Sequence, residues 1–187
     1  ESAESPALPE IIFEDGFEDG GLSKWTSSLI DLGDLSVTQD AAILGNYGLQ
    51  AVIDDNNVIY LTDWSPSDEE RYFVRFYFDP NSIVMASGNM HYVLYGLNRQ
   101  GSVVLRLELR NGNNDYQIRA QIISDSSVWV TTHWATITDE AHAIELNWWA
   151  SPAPVISEGG LTLYIDGDES DSITNVDNDT KRIDSVQ

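Results

Sequence analysis

The chain has 187 residues, enough for one domain with a sizeable core, and 42% hydrophobic content with six Trp, eight Tyr and five Phe argues against disorder. A formal net charge of -22 argues against nucleic acid or an anionic membrane as partner, since both select clustered Lys and Arg. Without Cys there is no disulfide framework and no thiolate site, and no apolar run approaches the roughly 18 residues of a membrane span.

The first ten residues, "ESAESPALPE", read as a Pro/Ser/Glu linker of a mature chain, and an extracellular or cell-surface location is expected. Residues 11–187 then form one domain. Its opening, "IIFEDGFEDGGLSKW", carries Glu14, Asp15, Glu18 and Asp19, hard oxygen donors of the kind calcium takes in sets of six to eight. The competing reading is that these Asp-Gly pairs make turns.

From Ile11 onward short alternating or apolar runs follow one another: "EIIF", "WTSSLI", "LSVTQ", "LQAVI", "VIYL", "RYFVRFYF", "HYVLYGL", "SVVLRLELR", "YQIRAQII", "VWVTT", "HAIELNWW", "GLTLYID" and "KRIDSV". Turn signals such as "DPNS", "NGNND" and "DGD" separate them. The pattern predicts an all-β chain of about a dozen strands, folded as a two-sheet antiparallel β-sandwich of the jelly-roll kind. "TDEAHAIEL" is the one stretch with helical features, but Ile144 and Leu146 alternate with Glu145 and Asn147, so a strand is expected.

Charge is unevenly placed. Residues 71–120 hold six Arg against three acids, a basic middle in an acidic chain. In "LRLELR" the leucines Leu105, Leu107 and Leu109 take one face and Arg106, Glu108 and Arg110 the other. In "YQIRAQI", Gln117, Arg119 and Gln121 oppose an apolar row; in "RYFVRFYF", Arg71, Arg75 and Tyr77 do the same. If these strands share a sheet, Arg71, Arg75, Tyr77, Arg106, Glu108, Arg110, Gln117 and Arg119 form one ligand-binding patch.

The hairpin "HAIELNWWASPAPVISEGGLTLYIDG" resembles the penultimate hairpin of laminin-G-like, concanavalin-A-like sandwiches. The opening is similar to the Asp-Gly-Phe-Glu-x-Gly-x-Leu-Ser-x-Trp start of modules on secreted and surface proteins of bacteria. The resemblance implies a jelly roll, with a structural calcium near the first strand. Modules of that kind continue past "RIDSVQ" into a further strand that packs beside the first, so the resemblance implies a truncated chain or a processed product lacking that final strand, or a sheet edge completed by another chain.

Catalytic signatures are weak. The Arg-x-Glu-x-Arg strand is similar to that of jelly-roll alginate lyases, but Arg119 stands where their catalytic His is expected, and arginine is no general base. The carboxylate pair that a retaining glycosidase needs is missing from Glu145-Leu146-Asn147-Trp148-Trp149. "DGDESDSITNVD" has Asp171 and Asp177 where a calcium loop needs Gly and Glu, so Asp166-Gly167 reads as a hairpin turn. His91, His133 and His142 lack ligand spacing, while Trp129, Trp134, Trp148 and Trp149 are candidate platforms for sugar rings, one of the last two being core. The expected function is a non-catalytic binding or adhesion module for a polysaccharide, a glycoconjugate or a surface protein. The alternative is a structural protomer of a surface layer, filament or stalk that assembles through an open sheet edge.

Overall fold

The computed structural model describes residues 10–112 and 115–187; residues 1–9 of the expected linker and the Asn113-Asn114 pair of "NGNND" lie outside the described residues. Fourteen strands follow in chain order: β1 (Ser27–Leu29), β2 (Leu35–Thr38), β3 (Gly48–Ala51), β4 (Tyr60–Thr62), β5 (Arg71–Phe78), β6 (Met90–Leu97), β7 (Val103–Asn111), β8 (Tyr116–Ile123), β9 (Trp129–Thr131), β10 (Ala135–Ile137), β11 (His142–Trp149), β12 (Gly159–Ile165), β13 (Asp168–Val176) and β14 (Ser185–Val186). A single 3-10 turn covers Asp31–Gly33. "EIIF" forms no strand, while β10 and β13 arise where no run was predicted.

Two antiparallel sheets face each other as a β-sandwich. One has the order β10-β8-β7-β6-β14, with β9 also on β8; the other has the order β13-β12-β11-β5. The pairs β1-β4 and β2-β3 form two-stranded ribbons. The alternation seen in sequence places the core: Leu105, Leu107, Ile118, Ala120 and Ile122 from one sheet meet Ile144, Leu146, Trp148, Leu161 and Leu163 from the other, all at 0% exposure.

Asp166 and Gly167 both take positive φ, 55° and 87°, the requirement of a tight hairpin turn, and they join β12 to β13 as the sequence suggested. "DESDSITNV" is therefore a strand. Its sheet neighbours fix its backbone, so it does not wrap around an ion.

The chain's last residues lie between β6 and the pair of strands that includes the first. β14 pairs with β6 on one side, and Val186 bridges Asp63, just past β4, on the other; Ile183 likewise bridges Glu69. The sheet thus runs on from β6 through β14 to β4 and β1. Free edges among the described residues lie on β1 and β10 on this side and on β5 and β13 in the other sheet. Arg71 and Arg75 charge the β5 edge, and two register irregularities break the pairing of β13, both devices that discourage strand addition there.

The "IIFEDGFEDGGLSKW" opening folds on itself. The Trp25 ring packs against Phe13 and Phe17, and its Nε1 donates to Asp15 Oδ2. Glu18 reaches across to a distant loop, accepting from the backbone N–H of Asn46 and Tyr47 and from Asn46 Nδ2. Gly45 must be glycine: its φ is +80°, and a Cβ there would collide with the Glu18 carboxylate.

Those bonds, the Asn46 side chain first and then the two backbone groups, hold Glu18 below its ordinary pKa of 4.5. A carboxylate depressed on folding contributes stability above its unfolded value and loses it as pH falls through the folded one. The 43–47 loop should therefore loosen as pH drops below about 4.5, and Glu18→Gln should loosen it at neutral pH. Hydrogen exchange of the Asn46 and Tyr47 amides checks this; protection independent of pH in the native chain would disprove it.

Candidate ligand-binding face

β7 and β8 pair so that outward residues meet one to one: Arg106 faces Gln121, Glu108 faces Arg119 and Arg110 faces Gln117. The leucine row fills the core side, which leaves the charged row no place but the outer surface. Glu108 sits at the centre with its side chain 1% exposed. It accepts from Arg119 Nε at 2.6 Å and Gln121 Nε2 at 2.9 Å, and Arg106 Nε lies 3.5 Å away. Gln121 Oε1 in turn accepts from Arg106 Nε, and Gln117 Oε1 from Arg110 Nε.

Aromatic rings clamp the guanidinium groups from the flanks. β9 and β10 pair in succession along the edge of β8, and Trp129 and Trp134 come over the guanidinium groups of this face. The Arg106 Cζ lies 4.1 Å from the Trp129 ring and 5.1 Å from that of Tyr92; Arg110 and Arg119 lie 4.0 and 4.3 Å from Trp134. A register shift in β6 between Tyr92 and Leu94 puts both Tyr92 and Tyr95 on this side, with ring centroids 5.1 Å apart. Burial pushes the Tyr95 phenol above its ordinary value, with Tyr92 and Glu108 adding and Arg106 opposing.

Three arginines against one glutamate leave two positive charges on a face of an acidic protein. The internal bonds use the Nε atoms of Arg110 and Arg119; among the described residues their terminal nitrogens have no acceptor. Such pre-aimed, ring-stacked forks suit carboxylate or sulfate groups, and they have already lost the rotamer freedom that binding would otherwise cost.

The expected patch is split. Arg71, Arg75 and Tyr77 belong to β5, which lies in the other sheet, so they occupy the opposite outer surface of the sandwich, away from Arg106, Glu108, Arg110, Gln117 and Arg119. There Arg75 pairs with Glu145 and lies over the Tyr77 ring. Face alternation is legible in one strand, but the sheet to which a strand belongs depends on distant pairing. Of the four Trp, Trp148 is core and Trp149 faces outward on β11, its Nε1 donating to Glu158 O. Gln121, Tyr92 and Tyr95 complete the face; extending the alternation of β8 reaches Gln121, while the register shift hides the tyrosines.

Of the expected calcium ligands, Asp15 serves Phe17, Trp25 and Lys24, Glu18 serves Asn46 and Tyr47, and Asp19 serves Gly21 and Ser23; with Glu14 they form no converging group of carboxylates among the described residues. Among the described residues the carboxylates that do converge are Asp125, Asp177 and Asp179, within 4.8 Å of one another. Thr180 Oγ1 and Lys181 Nζ already approach Asp125 there.

The histidines sit elsewhere in structural roles. His133 bonds Asp171, and His142 bonds Asp166 and Thr138. His91 lies opposite Leu109 on the inward side, where burial holds its pKa below the ordinary value. No protein-family model, curated protein or solved structure matches the chain.

Proposed function

We propose that this is a non-catalytic extracellular binding module of laminin-G-like kinship that takes an acidic polysaccharide or glycoconjugate on the β7–β8 face. The observation that carries the reading is the pair of Arg110 and Arg119 forks, stacked on Trp134 with their terminal nitrogens free of internal acceptors among the described residues. Glu108, the one carboxylate in the paired outer rows of these two strands, is buried and bonded to Arg119 and Gln121, which favours a binding role over acid or base chemistry. The charge on the β5 edge and the irregular pairing of β13 count against strand-to-strand assembly at those edges, which makes it the weaker alternative.

A glycan array read with calcium and again with chelator tests this. Binding to uronate or sulfated glycans under both conditions is expected, because the arginines engage anions directly. Arg110→Ala is the cleanest variant: Arg110 touches Gln117 and Trp134 and lies outside the Glu108 network. It should weaken binding about ten- to hundredfold, the worth of a charge-assisted hydrogen bond, without changing the melt. Unchanged affinity would remove this face from the site.

A further inference from the structure

The Arg-Trp face does not end at β6. Tyr95 stands opposite Arg106, and Gln187 exchanges backbone bonds with Tyr95, so by strand alternation both continue the outward row. Gln187 Nε2 then donates to Thr62 Oγ1, and Thr62 pairs with Ser27 on β1. Val186 and Asp63 take the inward side of the same bridge, Val186 at 7% exposure and Asp63 at 1%. The outer surface is therefore one unbroken row of side chains from β8 to β1, five inter-strand steps of ~4.8 Å, or about 24 Å.

Over its far half lies a groove of about 880 Å³ whose lining includes Tyr60, Thr62, Trp64, Asn98, Gln100 and Gln187. Trp64 is 64% exposed there and Tyr60 36%. An indole this uncovered is an open ring face beside hydroxyl and amide donors. Charge in this groove is mixed: Arg99 lines it, Arg182 is already bonded to Glu70 and close to Asp68, and Asp184 accepts from the Asp68 N–H. The groove suits the ring faces and hydroxyls of sugars, while the arginine half suits their acid groups.

We infer that the ligand is an acidic polysaccharide chain that runs across the strands, from the Arg110/Arg119 forks to a stacking platform at Trp64. This rests on the reading of the β7–β8 face as an anion site. It makes the module a reader of internal stretches of a polymer, since a single acidic sugar would leave the Trp64 half empty.

Size-defined oligouronates test the inference. By calorimetry, an octasaccharide should bind the native chain about tenfold or more tightly than a tetrasaccharide, and Trp64→Ala should cancel that advantage, leaving the tetrasaccharide unaffected. Trp64→Phe should restore much of it. Arg110→Ala should weaken both lengths. Equal affinity for the two lengths, or an octasaccharide indifferent to Trp64→Ala, would overturn the extended groove while leaving the arginine site intact. Failure of every length to bind would overturn both.

Discussion

Trp148→Ala is expected to destabilise the domain by about 3–5 kcal/mol, the range for emptying a large buried aromatic site. Trp148 is the largest side chain with 0% exposure, and it lies in β11 between Tyr72 of β5 and Leu161 of β12. Both flanking strands carry core residues that cannot follow the missing ring without leaving their ladder. Trp148→Phe should cost far less, because Trp148 Nε1 is buried with no hydrogen-bond partner among the described residues and Phe loses no bond there. Urea unfolding of both variants gives the comparison. Equal losses for Ala and Phe would mean that the indole nitrogen matters more than the filled volume.

The second large effect falls on the proposed binding face. Glu108→Ala strips Arg119 and Gln121 of their shared acceptor and leaves Arg106 without its nearby counter-charge. Removing one partner of a fully buried pair costs about 3–5 kcal/mol, but the Arg106 and Arg119 side chains are 21% and 24% exposed and can regain water. A loss of about 1–3 kcal/mol is expected, with weaker anion binding although the face has become more positive. That opposition is the diagnostic: tighter binding would mean that charge alone, and not the fixed aim of the forks, does the work. The double variant Glu108→Ala/Arg119→Ala should be less unstable than the sum of the two single changes, because each removes the same bond.

Much of this was legible in the sequence because period two is a local property. The Leu105–Leu107–Leu109 row, the opposed Arg106–Glu108–Arg110 row and the Asp166-Gly167 turn all follow from side-chain alternation and turn chemistry. Sheet membership is not local. Nothing in "RYFVRFYF" says that it pairs with β11 and not with β7, and so Arg71, Arg75 and Tyr77 were grouped with residues on the opposite surface. The acidic opening is hard to read for a related reason: a run of carboxylates does not show in sequence that Trp25, Asn46 and Ser23 each bond one of them. The groove by Trp64 was hidden too, since it needs Gln187 beside Thr62, 125 positions away in the chain.

The slot filled by residues 183–187 also bears on how the domain reaches its native state. Asp63 and Glu69 meet Val186 and Ile183 across more than a hundred intervening residues, and the β1–β4 ribbon is tied to the main sheet by those bridges. Closing so long a loop costs entropy before any contact repays it, so this seam is among the last parts of the topology to be favoured. Until it closes, β6 presents a bare edge with Gly96 and Leu97 unpaired on that side, a transient invitation to mispairing with a neighbouring nascent chain. The segment that completes the sheet thereby also ends its exposure to aggregation, and the polar continuation of the β7–β8 face exists only in molecules that have passed that step.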